Sequence, residues 1–270
     1  MARISSCKVA GQPRKFLVVM CGLPASGKTT LATRIALLME EAGIPTVVLG
    51  SDNVRSMMPI YREKFDPARE PLVRDATLHL AEYFLRRGVS VVNDDMNYYS
   101  SMRHDMVELA RRTGAIHAII HVEASLEDAL KWNEARGSPI PPEVIASVNE
   151  KFEEPGKRYR WDRSLARFNL SRTPLEHAAR EALSRILALK PEDGEAERRP
   201  PGLAEEIDKV TRRVVSEAVK SAPRSAVALS NVRRSFVREA LKAGLTLEEA
   251  EAAFRRKVEE ALNELDSKGR

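Results

Sequence analysis

The sequence predicts an α/β protein in which helices cover both faces of a parallel sheet, followed by a small all-α domain. Between residues 16 and 190, short β-rich runs alternate with longer helical ones, the pattern of a sheet covered on both sides. A polar, proline-containing stretch at residues 191–202 has no periodicity and is typical of a linker. Beyond it, apolar residues recur at helical spacing. The expected organisation is an N-terminal tail at 1–15, a first domain at 16–190, the linker at 191–202 and a helical domain at 203–270.

The composition of the chain excludes several classes of protein. The 270 residues are 43% hydrophobic and 31% charged, a globular balance that a wholly disordered or collagen-like chain does not have. No apolar run approaches the ~18 residues that span a bilayer, and residues 1–14 lack the apolar stretch of a secretion signal. The two cysteines, Cys7 and Cys21, cannot form a disulfide framework. We therefore expect a cytoplasmic protein without membrane association.

Strands and helices alternate along residues 16–190. The β-rich runs predict strands at Phe16–Cys21, Thr46–Leu49, 89–93, 116–122 and 165–170. Helices are expected between them, at residues 28–42, 71–87, 101–112 and 126–136, and from residue 174 onward. Ser125 is the expected N-cap of the fourth helix, and Thr173 with Pro174 begins the last one.

Residues 137–162 break this alternation. Prolines and basic residues surround Tyr159 and Trp161, a composition that favours a helix flanked by irregular segments. A segment of this kind, placed after a helix, suits a lid over a phosphate site. An ordinary surface excursion is the alternative interpretation.

A phosphate-binding pattern, G-x-x-x-x-G-K-[S/T], is matched by residues 22–29, GLPASGKT. This stretch follows an apolar strand and opens a helix, which is the context that the pattern needs. Its glycines allow the loop to curl so that N–H groups point at phosphate oxygens. Lys28 is expected to bridge the β- and γ-phosphates, and the Thr29 hydroxyl to join the Mg²⁺ shell. The residues expected to contact nucleotide here are Gly22, Leu23, Pro24, Ala25, Ser26, Gly27, Lys28, Thr29 and Thr30.

A pair of acidic residues follows the strand at 89–93, at the edge of a parallel sheet that lines the ligand crevice. Asp94 is placed to hold Mg²⁺ directly or through water. Asp95 is the alternative, and alternation along the strand does not separate the two. A plain turn at the strand end is the other interpretation.

Asp52 and Arg55 directly follow the second strand. Asp52 is placed to accept the proton of an attacking hydroxyl, and Arg55, one helical turn later, to neutralise charge at the transferred phosphate. The alternative is that Asp52 only caps the helix that follows. Together with Lys28, these two residues are the predicted catalytic set.

Basic residues concentrate in the C-terminal part of the chain. The net charge is +5, and residues 209–242 hold nine basic residues against two acidic ones. Such an excess is expected where a polyanion binds. A solvated helical face is the alternative. Thr246 and Glu249 form a capping box that begins one of about three helices in this part of the chain.

Four stretches together resemble one family, the archaeal O-phosphoseryl-tRNA(Sec) kinases (L-seryl-tRNA(Sec) kinases) of the P-loop kinase superfamily. They are residues 22–29, 49–55 (LGSDNVR), 94–103 (DDMNYYSSMR) and 151–162 (KFEEPGKRYRWD). The last two stretches are the specific ones, because the P-loop marks only the superfamily. The resemblance covers residues 16–162 strongly and 205–240 more loosely.

The resemblance implies a P-loop kinase-like sheet and a kinase that depends on ATP and Mg²⁺. Its substrate would be tRNA(Sec) charged with serine, and its product O-phosphoseryl-tRNA(Sec), the intermediate on the route to selenocysteine. The resemblance also implies that Asp52 is the catalytic carboxylate with Arg55 beside it, and it suggests a homodimer. The helical tail would grip the tRNA, and the arginines expected to contact its phosphates are Arg212, Arg213, Arg233, Arg234 and Arg238.

One departure of the sequence from the family matters most. The family places two arginines four residues apart before the lid, where they meet ATP phosphates. Here the second is Arg136, but Trp132 stands at the first position. Lys131 is next to it, although neighbouring helical positions differ by ~100° around the axis. For Trp132 itself the alternatives are stacking on the nucleotide base and packing in the core.

Two other functions fit the same residues. One is a tRNA-binding P-loop ATPase that regulates a modification complex and phosphorylates nothing. The other is a kinase of a free nucleoside or metabolite, with the helical tail as a dimerisation module. The fate of the γ-phosphate separates a tRNA kinase from the first, and deletion of residues 203–270 separates it from the second.

Overall fold

The computed structural model describes residues 14–190, 203–222 and 225–268. The described residues form two compact units, the first within 14–190 and the second within 203–268. Residues 1–13 of the expected N-terminal tail, Cys7 among them, and the expected linker at 191–202 lie outside the described residues.

The first unit is built on a parallel sheet of five strands in the order β2-β3-β1-β4-β5. The strands are β1 (Phe16–Cys21), β2 (Thr46–Leu49), β3 (Ser90–Asn93), β4 (Ile116–Glu123) and β5 (Ala166–Asn169). All six residues of β1 are buried, as expected for the central strand of a sheet covered on both faces. In the register, Asn93 lies opposite Val19 of β1 and Leu49 of β2. The residues that follow these three strands therefore meet at one edge of the sheet.

Helices cover both faces of this sheet, which confirms the predicted fold class. The helices are α1 (Lys28–Glu41), α2 (Ser51–Ser56), α3 (Glu70–Arg86), α4 (Ser100–Thr113), α5 (Leu126–Ala135), α6 (Pro142–Lys151) and α7 (Leu175–Ala188). Apolar residues of α1 and α7 pack with Phe16, Val18 and Met20 on one face. Those of α3 and α4 pack with Leu17 and Val19 on the other. Alternate residues of β1 thus point to opposite faces and hold the two layers together.

Local signals in the sequence locate most helix ends. Ser125 Oγ accepts a hydrogen bond from the Asp128 N–H at 3.0 Å, so the predicted cap of α5 is present. Helices α3, α4 and α7 each begin one residue away from the expected position. Helix α7 begins at Leu175, because Pro174 has extended backbone (ψ 137°) and is itself the N-cap, its carbonyl accepting from Ala178 N–H. The short α2 is followed by 3₁₀ turns at Pro59–Arg62 and Pro67–Arg69 that the sequence pattern did not indicate.

The second unit is a small helical bundle. It contains α8 (Leu203–Ser221), α9 (Ala226–Ala243) and α10 (Leu247–Lys268), the number expected. Ile207, Phe236 and Phe254, one from each helix, are among its buried core residues. The predicted capping box is present, since Thr246 N–H donates to Glu249 Oε2 at 2.9 Å and Glu249 N–H donates to Thr246 Oγ1 at 3.3 Å. None of the described helices is long and apolar enough to cross a bilayer.

Candidate active site

The loop between β1 and α1 has the backbone of a phosphate cradle. Gly22 has φ +152°, and a Cβ there would lie 2.3 Å from the Val122 carbonyl oxygen, so only glycine fits. Gly27 has φ +89° and directly precedes the first helical residue. Ala25 adopts a positive φ of +62° between them. These angles turn the loop back on itself at the N-terminus of α1, where helix N–H groups favour an anion.

Lys28 is buried within this loop. Its Nζ donates to the Leu23 carbonyl oxygen at 2.6 Å, across the width of the cradle. Burial lowers the pKa of Lys28 to about 8, although nearby Asp94 opposes the shift. Ser26 Oγ is also buried and finds no hydrogen-bond partner among the described residues. A lysine held on a backbone carbonyl and an unsatisfied hydroxyl fit a loop that receives phosphate oxygens.

The carboxylates of Asp94 and Asp95 serve different partners. Burial raises the pKa of Asp94, and the nearby Thr29 side chain opposes this shift. Asp95 instead accepts from Ser51 N–H at 2.9 Å and from Asn93 Nδ2 at 3.1 Å. Asp95 is therefore committed to the start of α2, whereas Asp94 faces the phosphate loop. The Asp94 carboxylate and the Thr29 hydroxyl are hard oxygen donors that suit Mg²⁺.

Asp52 lies on the first turn of α2 with 94% of its side chain exposed. Arg55 Nη1 donates to its Oδ1 at 2.6 Å. Asp52 does not cap α2 in the described structure, because Asn53 Oδ1 accepts the Gly50 N–H at 2.8 Å instead. Burial is the main cause of the pKa shifts of Lys28 and Asp94, and the charge of Asp52 has a smaller effect on both. Asp52 therefore lies within electrostatic range of these two groups.

Glu70 is a site residue that the sequence did not reveal. Its carboxylate accepts from Arg55 Nε at 3.0 Å and from Nη2 at 2.5 Å, and Tyr61 Oη donates to it at 2.8 Å. This fork-to-fork pair fixes the plane of the guanidinium. Glu70 begins α3, fifteen residues after Arg55. No helical or strand periodicity joins two positions so far apart, so the sequence carries no signal for this contact.

Gly50 brings the two acidic segments together. A Cβ at this position would lie 2.2 Å from the Asp94 carbonyl oxygen. The backbone before Asp52 is thus in direct contact with the backbone that carries Asp94. This close approach explains the glycine by space alone, because its φ of −140° is open to any residue.

Arg136 lies at the C-terminal end of α5 and is exposed. Lys131 is directed elsewhere, since its Nζ pairs with Glu127 Oε1 at 2.7 Å one turn back on the same helix. Trp132 is half-buried. The segment that follows has the expected form, a helix (α6) between irregular stretches.

The arginines predicted to contact tRNA fall into two groups. Arg233 is buried, and its Nη1 lies 2.5 Å from Asp208 Oδ1. Arg212 binds the other oxygen of Asp208. These two guanidinium groups are directed into the bundle, which disfavours a direct contact with tRNA. The arginines with more exposed positions are Arg213, which pairs with Glu251 at 2.9 Å, Arg234 and Arg238.

The sequences of known proteins match this chain over most of its length. A family model described as chromatin associated protein KTI12 matches residues 16–258. The L-seryl-tRNA(Sec) kinase of Methanococcus maripaludis is 32% identical over 238 residues, which cover 84% of this chain and 91% of that protein. The KTI12 homolog of Xenopus laevis is 27% identical, covering 78% of this chain and 77% of that protein.

A solved structure supports the same fold. The crystal structure of Chaetomium thermophilum Kti12 in complex with ADP-AlF3 has a TM-score of 0.53 at 22% identity, and the match covers 63% of this chain and 97% of that one. The phosphate loop, the parallel sheet and these matches agree on a P-loop kinase fold. The resemblance to the L-seryl-tRNA(Sec) kinases is therefore confirmed, and the chain belongs to the P-loop family that the KTI12 model describes.

Proposed function

We propose that this protein phosphorylates the seryl group of Ser-tRNA(Sec), using ATP and Mg²⁺, to give O-phosphoseryl-tRNA(Sec). The observation that carries the proposal is the Asp52 carboxylate, which is 94% exposed and accepts from Arg55 at 2.6 Å, two residues after Gly50, which lies against the backbone of Asp94. An exposed carboxylate beside a phosphate loop suits a large substrate that arrives from solvent. The identity of 32% along 91% of the M. maripaludis kinase supports the same substrate.

The reaction transfers the γ-phosphoryl group of ATP. The serine hydroxyl oxygen attacks the γ-phosphorus in line, the bond from that phosphorus to the β–γ bridging oxygen breaks, and ADP leaves. Asp52 accepts the proton that the hydroxyl loses. Lys28 and Arg55 supply the positive charge that stabilises the transferred oxygens.

The nucleotide is bound by the loop and by side chains at the same sheet edge. Backbone N–H groups of residues 22–30 and the N-terminus of α1 bind the phosphates. Thr29 and Asp94 would hold Mg²⁺, which neutralises phosphate charge when it is bound. Arg136 is assigned to the phosphates as well, without help from Lys131, because that ammonium group pairs with Glu127.

The tRNA is assigned to the helical unit. Arg213, Arg234 and Arg238 are proposed to bind backbone phosphates, which fixes the register of the tRNA without reading its bases. Arg212 and Arg233 are proposed to hold α8 and α9 together through Asp208. Selectivity among tRNAs would then come from shape.

Transfer of label from ATP tests the proposal. Radiolabelled ATP and Ser-tRNA(Sec) are incubated with the protein, the tRNA is deacylated, and the released amino acid is analysed for phosphoserine. Label is expected in phosphoserine with wild-type protein and not with Asp52→Asn. A protein that binds ATP normally and produces no phosphoserine would contradict the proposal.

A second candidate is a P-loop ATPase that transfers phosphate only to water. The match of the KTI12 family model to residues 16–258 favours it. Free phosphate released in the presence of any tRNA, without phosphoserine, would support this function. Phosphoserine formed only with Ser-tRNA(Sec) would support the kinase.

A further inference from the structure

Arg103 and Asp162 form a completely buried ion pair that the proposed chemistry does not use. Arg103 Nε lies 2.5 Å from Asp162 Oδ1, and Nη2 lies 2.6 Å from Oδ2. The two side chains are 0% and 1% exposed. Arg103 belongs to α4, and Asp162 ends the 3₁₀ turn Arg160–Asp162 that closes the segment 137–162. The pair therefore connects the end of that segment to α4.

The remaining donor of Arg103 reaches the segment that carries Asp94. Its Nη1 donates to the Asn97 carbonyl oxygen at 2.7 Å. Asn97 is buried with φ +42°, a conformation that needs support from its surroundings. Its Nδ2 supplies part of that support by donating to Met20 O at 2.8 Å and to Asn93 Oδ1 at 2.7 Å.

Residues 94–97 are also joined to the phosphate loop. Gly22 N–H donates to the Met96 carbonyl oxygen at 3.1 Å. Asp94, at the other end of these four residues, lies near the Thr29 side chain, which lowers its pKa against the larger effect of burial. A displacement of Asn97 would therefore be transmitted to both sides of the cradle.

A buried ion pair of this kind contributes more to the orientation of the groups that it contacts than to the stability of the fold. Desolvation offsets much of the attraction between two buried charges, and apolar residues of the same volume often stabilise a fold as well. A guanidinium group differs from them because its donors lie in one rigid plane. Here Nε and Nη2 donate to Asp162, and Nη1 donates to the Asn97 carbonyl oxygen and, at 3.7 Å, to Cys21 Sγ.

We propose that the Arg103–Asp162 pair positions Asp94 against Thr29. This alignment then depends on the segment 137–162 staying packed so that Asp162 binds Arg103. Arg103 and Asp162 are positioning residues, since they act through Asn97 and touch no reacting atom. The proposal rests on the ATP- and Mg²⁺-binding part of the proposed function and is independent of which molecule accepts the phosphate.

Two variants test it, Asp162→Asn and Arg103→Lys. The first readout is hydrogen–deuterium exchange of the free protein, in which peptides covering residues 94–103 should exchange faster in both variants. The second is equilibrium binding of a fluorescent ATP analogue as Mg²⁺ is titrated. We expect the Mg²⁺ concentration for half-maximal tightening to rise about tenfold, as for outer-shell residues of metal sites. Affinity measured without Mg²⁺ should fall by a smaller factor than affinity measured with it, because Asp94 and Thr29 contribute to nucleotide binding through the metal.

Ile186→Val is the matched control for loss of stability. Ile186 is buried in α7 on the face of the sheet opposite α4, so this variant should lower the melting temperature and leave exchange at 94–103 and the Mg²⁺ requirement unchanged. If Asp162→Asn does not fold, Arg103→Lys still tests the proposal, because lysine keeps the charge and loses the planar fork. Wild-type exchange and a wild-type Mg²⁺ requirement in a folded variant would overturn the inference. No tRNA is present, so failure to phosphorylate Ser-tRNA(Sec) would not affect this result.

Discussion

Arg55 donates to Asp52 from one edge of its guanidinium, at 2.6 Å, while its other two donors are bound by Glu70. Asp52 is otherwise almost fully exposed. An exposed carboxylate on a helix surface ordinarily samples several rotamers. The pairing through Arg55 restricts this one, because Arg55 is itself held by a second, less exposed carboxylate. Residues on two helices, α2 and α3, therefore favour one direction of Asp52, by the small amount that an exposed ion pair contributes.

Replacement of Asp52 by asparagine should leave ATP binding intact and lower phosphate transfer by about 10²–10⁴, the contribution of a general base. The amide keeps the size of the side chain but cannot take the serine proton. Transfer is measured with radiolabelled ATP, and binding by calorimetry. Glu63→Gln, an exposed acid just after the Pro59–Arg62 turn, is the control and should behave as wild type. Retained turnover in Asp52→Asn would remove Asp52 from the catalytic set.

Replacement of Glu70 by glutamine should lower transfer by about tenfold or more, since hydrogen bonds to charged groups contribute about 1.5–3 kcal/mol. The change frees Arg55 without altering the phosphate loop, so the dissociation constant for ATP should stay the same. Glu82→Gln is a matched control on the same helix, where the carboxylate pairs with Arg86 and Arg112. Equal losses in the two variants would indicate a general effect on α3.

The affinity for ATP should fall as the pH rises above about 8. Burial lowers the pKa of Lys28 to about 8 in the free protein, and phosphate groups favour its charged form, so binding takes up a proton at higher pH. Calorimetry from pH 7 to 9.5, in buffers of different ionisation enthalpy, measures this uptake. Lys28→Arg should abolish it, because a guanidinium stays charged throughout.

The same group has the opposite effect on stability. In the folded protein Lys28 loses its proton near pH 8, whereas in the unfolded chain it keeps the proton to about pH 10.5. The unfolded state therefore binds more protons between these values, and the contribution of Lys28 to the free energy of unfolding rises with pH there. A denaturant series with the wild type and Lys28→Met isolates this slope. A slope of the same sign and size in both proteins would contradict the shifted pKa.

Two glycine substitutions distinguish the strain of a positive φ from a steric clash of the added Cβ. Gly43→Ala should cost about 1 kcal/mol because φ is +78°, with nothing within 4 Å of the new Cβ. Gly50→Ala should cost about 1–3 kcal/mol, because its Cβ would meet the Asp94 carbonyl at 2.2 Å. Both lower the melting temperature, but only Gly50→Ala should also reduce phosphate transfer measured below that temperature. Normal transfer by Gly50→Ala would mean that Asp94 tolerates the displacement.

Replacing two arginines of the bundle by alanine should affect different properties, stability at one position and tRNA binding at the other. Arg233→Ala removes one partner of buried Asp208 and should destabilise the bundle by roughly 3 kcal/mol. Arg238→Ala, at an exposed position on α9, should leave stability within about 0.5 kcal/mol and reduce the salt slope of tRNA binding by about one. Thermal melts and filter binding at several salt concentrations measure the two effects. A reduced salt slope for a folded Arg233→Ala and none for Arg238→Ala would reverse the assignment.

The sequence was sufficient for features that depend on neighbouring residues. The apolar run of β1 is unambiguous because a central strand is buried on both faces. The caps at Ser125 and Thr246 each involve residues three positions apart, which a pattern can record. The start of α7 was misplaced by one residue because Pro174 has the extended backbone of an N-cap, although its type suits the first helical turn as well.

Contacts between distant segments were beyond the sequence. Asp94 and Asp95 are consecutive, and their different directions follow from a hydrogen bond between Asp95 and Ser51, which requires β2 and β3 to be paired. The partnership of Arg103 with Asp162 spans 59 positions. No periodicity encodes such pairs, since they arise only when the order of strands brings the segments together. The catalytic and binding roles of the site residues remain predictions for the experiments above.

Cys21 ends the central strand immediately before the phosphate loop, and its thiol is fully enclosed. Burial raises its pKa to about 11, so the sulfur stays protonated and shielded from alkylating reagents at neutral pH. A reagent can therefore modify Cys21 only when β1 separates from its neighbouring strands. In a Cys7→Ser background, the rate at which maleimide labels Cys21 therefore measures how often the sheet opens at β1. Nucleotides that bind the folded protein should lower this rate.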